Sequence, residues 1–272
     1  MGIIRALGKV FKQDLLFLKK KQQKNFWFFF SKRNLLLFFV LAFLSVPLFS
    51  LLTAGSIFGA LSSDDISAIF VSLGGGAVAL VLIGLLGTPV ALFLARNGSA
   101  VAEGLVLVPM LMPTLAIGIL LAAFYGPAAP AGAAFARFGV LLTNTPAAFV
   151  LAALYAALPT YIVAARAAFV EVPVELEDVA RTLRQTPWRV FYRVTLPMAQ
   201  RGLAAALSLA WVRAMGEFGI VLIIAYYPQG LPVRLWVDVQ DEGIAAVFPL
   251  LAVFLLVALP LPLWLGLRAR RV

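Results

Sequence analysis

An all-α integral membrane protein of six spanning helices is what this sequence predicts, and three observations predict it. The 272-residue chain is 63% hydrophobic and only 12% charged, with a mean hydropathy of +1.01. Soluble domains are near half apolar and a quarter charged, so this chain has too little polar surface to cover a water-soluble globule. Apolar runs of span length recur along it, and its basic residues collect in alternate loops. The chain has no Cys and no His. Disulfide frameworks, thiolate zinc sites, Cys nucleophiles and His-based acid–base dyads are thereby excluded. The net charge of +10 would suggest nucleic acid in a soluble protein. In a membrane protein its distribution along the chain matters more, and no nucleic-acid partner is expected.

A spanning helix needs about 20 mostly apolar residues. Residues 35–54 form the first such run. Residues 69–95 form the second, loosened by Gly74, Gly75, Gly76, Gly84 and Gly87. The third, 101–125, is interrupted by Pro109 and Pro113, and the fourth, 147–170, contains Pro159. Residues 198–226 and 244–267 complete the set. Internal Pro and Gly are tolerated where neighbouring helices satisfy the freed backbone groups.

Lys and Arg set the orientation. Nine lie in residues 1–33, Arg96 lies between the second and third runs, six lie between Arg166 and Arg201, and Arg268, Arg270 and Arg271 close the chain. The opposite loops hold only Arg137 and Arg234, beside Asp64, Asp65, Asp238, Asp241 and Glu242. The positive-inside rule places both termini in the cytoplasm, which requires an even number of spans. The expected organisation is a basic cytoplasmic segment 1–33, a transmembrane domain 34–268 and a basic tail 269–272. The first segment is too long and polar for a cleavable signal. With Phe11, Leu15, Leu16 and Leu18 among lysines, it reads equally as an amphipathic helix on the anionic leaflet or as a disordered basic tail.

The most informative stretch is EVPVELEDVARTLRQTPWRVFYRVTLP, residues 171–197. Pro173 suits a first helical turn. Glu175, Glu177 and Asp178 follow at the positive end of the helix dipole, with Arg181 and Arg184 toward the negative end. Leu176, Val179, Ala180 and Leu183 form one apolar stripe, and the small Ala180 leaves room for a partner to approach. Spacing alone also fits an interfacial helix lying on lipid.

This stretch resembles the Glu-Ala-Ala loop of importer permeases of the ATP-binding cassette superfamily. The core reads Asp178-Val179-Ala180 and the distal end Val194-Thr195-Leu196-Pro197, with Arg184 where the family has glycine. With Arg184 there, the first loop helix is expected to run on to Gln185, with the turn at Thr186-Pro187. The resemblance extends to Pro109, Pro113-Thr114 and Gly118, to the run from Leu158 into the loop, and to RAMGEFG at 213–219. It covers roughly Phe70 to the C-terminus.

It implies a six-span type I importer transmembrane domain in the cell inner membrane, whose loop acts as a coupling helix on cytoplasmic ATPase subunits. Glu175, Glu177, Asp178, Ala180, Leu183 and Arg184 are then the coupling residues. The chain itself has no G-x-x-x-x-G-K-[ST] phosphate loop. It is therefore expected to bind no cofactor and not to be an enzyme, with ATP and Mg on a separate ATPase chain.

Charges inside spans are rare and are functional candidates by default. Arg213 and Glu217 stand four apart and can form an ion pair. They either line or gate a path, with Thr114, or bridge the fifth span to its neighbours. Glu103 and Arg166 sit near span ends and are expected to snorkel. The RAMGEFG stretch and Ala225-Tyr226-Tyr227-Pro228 resemble permeases for molybdate or tungstate first and sulfate second. An extracytoplasmic binding protein would then select the oxyanion. Six spans without an internal repeat imply a homodimer enclosing the path, embedded in membrane lipid. A polyamine or ferric ion remains open as substrate, since those permeases share the loop. A membrane enzyme or an ion-coupled secondary transporter would need paired carboxylates or an inverted repeat, and neither is visible.

Overall fold

The structure is a computed structural model that describes residues 35–53 and 59–271, all of them in helices, turns or irregular segments. The basic segment 1–33 lies outside the described residues. The chain divides into two compact units, residues 1–55 and 56–272.

In the first unit, helix α1 spans Leu35–Thr53 and matches the first expected span. Its hydroxyls are satisfied locally: Ser45 Oγ donates to the Ala42 carbonyl at 2.8 Å and Thr53 Oγ1 to that of Phe49 at 3.0 Å. Hydrocarbon offers no partners, so such local closure is what a spanning helix requires.

The second unit is built on three long helices, α2 (Ser63–Asn97), α6 (Pro146–Val170) and α9 (Leu196–Met215). Helix α2 starts in a capping box: Ser62 Oγ accepts from the Asp65 N–H, and the Asp65 carboxylate accepts from the Ser62 N–H. It stops at Gly98, whose φ of 55° is left-handed. The three consecutive glycines do not interrupt it. Glycine serves close packing instead: a Cβ at Gly87 would strike the Tyr161 ring of α6.

Lipid is as apolar as leucine, so helices in it associate through close packing of small residues rather than hydrophobic drive. The seam obeys this rule. Ala153, Ala157 and Ala165 of α6 and Ala199, Ala206, Ala210 and Ala214 of α9 are buried with Ala79 and Ala91 of α2. Tyr161 Oη and Thr88 Oγ1 share a 2.7 Å hydrogen bond across the seam.

The third expected span is not one straight helix. It is a pair, α3 (Ala100–Leu111) and α4 (Thr114–Tyr125), bent by 109°. Pro109 sits within α3 without breaking it, whereas Met112 is extended, the conformation favoured before Pro113. The short helices α5 (Pro130–Arg137), α7 (Val174–Thr182) and α8 (Pro187–Val190) precede a π-helical turn, Phe191–Thr195, that leads into α9. The fifth expected span is likewise interrupted, with α9 followed by α10 (Gly219–Ile224). Then come α11 (Leu231–Asp241), α12 (Phe248–Ala258) and α13 (Pro260–Arg271), the last carrying the helix into the expected basic tail. Among the described residues, four stretches are long and apolar enough to cross a membrane, α1, α2, α6 and Phe248–Gly266 of α12 and α13, and five if the bent α3–α4 pair counts as one.

Candidate functional site

Helix α7 hangs between α6 and α8, and of its side chains only Glu177 is buried. Glu177 is 3% exposed. Its Oε1 takes a 2.6 Å ion pair from Arg96 Nη2, at the end of α2, and a 2.8 Å hydrogen bond from Thr195 Oγ1, at the entry to α9. Arg96 Nη1 also donates to the Phe169 carbonyl at the end of α6, at 3.0 Å. One buried carboxylate thus ties the loop helix to the ends of all three long helices. Burial pushes the Glu177 carboxyl up, but its Arg96 and Thr195 partners outweigh this and hold it below its ordinary 4.5.

The outward side of α7 is apolar: Leu176, Val179 and Leu183 are exposed and Ala180 is half-buried. Glu175 and Asp178 are exposed as well, and Asp178 pairs only with Arg181, at 3.0 Å. Such exposed pairs contribute little. The acidic candidates therefore separate into an internal anchor, Glu177, and two surface charges.

Helix α7 does not run on to Gln185. It ends at Thr182, and Arg184 adopts φ 55°. The Gln185 N–H reaches back to the Ala180 carbonyl at 3.3 Å, and the Arg184 N–H to that of Arg181 at 2.9 Å. This wrapped terminus needs a left-handed residue. Arginine supplies here the conformation glycine takes more readily, because the terminus is fixed by its hydrogen bonds and not by the side chain. Pro187 then opens α8 after an extended Thr186.

The second cluster lies where α9 stops. Arg213 Nη1 and Glu217 Oε2 are 2.7 Å apart, as the four-residue spacing implies. Glu217 is 1% exposed, and its Oε1 accepts the Ile220 N–H at 2.8 Å. It therefore satisfies a donor at the start of α10, which the break leaves without a helical partner. Arg213 is only partly buried, and it lines a cavity of about 90 Å³ with Pro109, Tyr155, Pro159 and Thr160. Thr114 opens α4 and packs directly on Gly219, where an added Cβ would collide with it. Hence Thr114 stands beside the break, while Arg213 faces the cavity.

Glu103 and Arg166, both partly exposed, pair with each other at 2.8 Å. Sequence reasoning named Arg96 and Thr195 only as a loop charge and part of a terminal motif. No local spacing signals a partnership between residues 96, 177 and 195. The same holds for Arg234, which joins Asp65 at 2.8 Å and Asp238 at 2.9 Å. Among the described residues, no group of acidic side chains could hold a metal ion.

Residues 84–272 match the family described as binding-protein-dependent transport system inner membrane component. A Haloferax volcanii protein named as a probable molybdenum ABC transporter permease is 38% identical over 63% of this chain and 64% of its own length. A molybdate/tungstate transport system permease protein of Thermococcus kodakarensis is 34% identical over 71% of this chain and 73% of its own. The aligned stretch thus spans just under two thirds of the first relative. In fold, the chain resembles one chain of a bacterial alginate ABC transporter crystallised with a pentasaccharide-bound periplasmic protein. The TM-score is 0.71 at 16% identity, over 92% of this chain and 96% of that one.

Proposed function

The chain belongs to the family of binding-protein-dependent transport system inner membrane components, and from that premise we propose that it is the permease subunit of an ATP-driven importer of molybdate or tungstate. The relatives named for these oxyanions support the substrate. A separate ATPase hydrolyses ATP, an extracytoplasmic protein delivers the oxyanion, and two copies of this chain enclose the path. Both termini and the α7 loop lie on the cytoplasmic side.

The observation that carries the reading is α7 itself. It is rigidly anchored through Glu177 to three long helices, yet presents Leu176, Val179 and Leu183 to the outside. An exposed apolar stripe on a short anchored helix can seat in a groove of another protein. Movement of that partner would pass through Glu177 to α2 and α9 as a rigid unit. At the other cluster, Arg213 offers a positive charge to a passing dianion, while Glu217 holds the helix break.

The test is purification from native membranes in mild detergent, with the accompanying subunits identified by mass. A nucleotide-binding ATPase at one copy per permease chain is expected. Its consistent absence would remove the coupling role of α7. Uptake of molybdate, tungstate and sulfate by vesicles carrying the recovered complex and its binding protein then orders the substrates.

A further inference from the structure

Beside the α7 anchor, an apolar groove of about 530 Å³ runs between α2 and the α8–π-turn segment. Leu85, Pro89 and Leu92 form one wall, and Trp188, Phe191 and Tyr192 the other. Trp188 and Tyr192 stack at 5.5 Å with their planes 16° apart, and Trp188 is 69% exposed. The groove ends about one turn before Arg96, at the end of α2 where the apolar stretch gives way to the polar loop. Amphipathic Trp and Tyr rings concentrate at this depth of a bilayer.

Two exposed cations adjoin groove-lining residues in sequence. Arg189 and Arg193 directly follow Trp188 and Tyr192, so they stand one turn apart on the adjoining helix face. Neither is held by a carboxylate among the described residues. Among the nearby arginines, Arg96, Arg166 and Arg181 are committed to Glu177, Glu103 and Asp178, whereas Arg184 and Arg201 are exposed but adjoin no residue lining the groove. An apolar slot with two guanidinium groups next in sequence to the rings of one wall matches an acyl chain in the slot and a phosphate headgroup beside it. The basic segment 1–33 of the same chain is a poor occupant, because its nine cations would repel these two.

We propose that the groove is a binding site for one anionic phospholipid, with an acyl chain against Leu85 and Trp188 and its phosphate held by Arg189 and Arg193. The inference rests on the reading that the α7 loop lies at the membrane face. Since the groove shares α2 and the entry to α9 with the Glu177 anchor, the lipid would stiffen the segment that transmits movement from α7.

The test uses the full chain with its accompanying subunits in phosphatidylcholine vesicles. Phosphatidylglycerol or phosphatidylcholine with brominated acyl chains is titrated over the same range of mole fractions, and tryptophan quenching is read. The chain has five tryptophans, and the difference between the native protein and Trp188→Phe isolates Trp188. Brominated phosphatidylglycerol should quench Trp188 at a mole fraction about fivefold lower per arginine than the choline lipid, the preference of one cation for an anionic headgroup. The double variant R189Q/R193Q should lose that preference and R189K/R193K should keep it. Equal quenching by both lipids overturns the headgroup site while leaving the loop at the membrane. Absence of quenching by either lipid overturns the site and the membrane placement of the loop together.

Discussion

Arg184 stands in a backbone conformation that glycine reaches freely and a side chain resists, at a cost of about 1 kcal/mol. Arg184→Gly should therefore raise the thermal unfolding midpoint of the detergent-solubilised protein, or at least not lower it. A clear drop would mean that the Arg184 side chain makes a stabilising contact within the folded chain that outweighs its backbone conformation. Glu177 and Asp178 are adjacent in sequence but differ sharply in expected effect. Glu177→Ala leaves Arg96 buried without its carboxylate, which costs about 3 kcal/mol. Asp178→Ala removes only an exposed pair and should cost less than about 1 kcal/mol. Thermal unfolding separates the two, and ATPase co-purification should fall with the Glu177 variant first. The sequence marks both residues as neighbouring acids toward the start of a helix and nothing more. Which one turns inward is decided by Arg96 and Thr195, residues far off in the chain.

Among the elements, the interrupted helices are the informative ones. The break between α9 and α10 is held by Glu217 through both its oxygens, one on Arg213 and one on the Ile220 N–H. Glu217→Gln keeps an acceptor for Ile220 and loses only the charge. Glu217→Ala loses both and should destabilise by about 2 kcal/mol more than the glutamine variant. Measured side by side, equal losses would mean that the backbone bond is unimportant and the ion pair alone holds the break. Arg213→Ala leaves the buried Glu217 carboxylate without its partner, so it should lower the unfolding midpoint as well as ATP-coupled oxyanion uptake; normal uptake would remove Arg213 from the path. These breaks were only half legible beforehand. Pro113 predicts a weak point, but hydropathy averages across it and reads one span where the chain bends by 109°. Gly74, Gly75 and Gly76 predict looseness by propensity, yet α2 runs unbroken through them, with Phe149 packed on Gly75 and Met215 and Trp211 on Gly76. The run of apolar stretches and the α7 boundaries at Pro173 and Pro187 were legible because they depend on local composition. The short α5 and α11 were not, since neither is apolar enough to register as a span.

Across the whole molecule, α2 is a strut clamped at both ends by charged clusters, and Glu177 at one end and Asp238 at the other respond oppositely to acid. At its C-terminal end, Glu177 is held below 4.5, so its contribution is complete above pH 4.5 and disappears as pH falls through the lower folded value. At its N-terminal end, Arg234 sits between Asp65 and Asp238. Burial raises the Asp238 carboxyl from 3.8 to about 6, with the Asp65 and Glu242 charges adding to it, against the pull of Arg234. A group raised in the folded state favours folding fully below its unfolded value, and that contribution is lost as pH rises through the folded one. For Asp238 the loss accumulates from pH 3.8 to about 6 and is constant above. Asp238→Asn removes the ionisation but leaves Arg234 its Asp65 partner. The variant should match the native protein near pH 4 and exceed it by up to about 3 kcal/mol at pH 8, read as unfolding midpoints across pH in one detergent. Arg96→Gln, by contrast, should cost most above pH 4.5 and converge with native below it, because it removes the partner that keeps Glu177 ionised. If the Asp238→Asn difference is the same at pH 4 and pH 8, Asp238 is already ionised throughout and Arg234, not burial, governs that end of the strut.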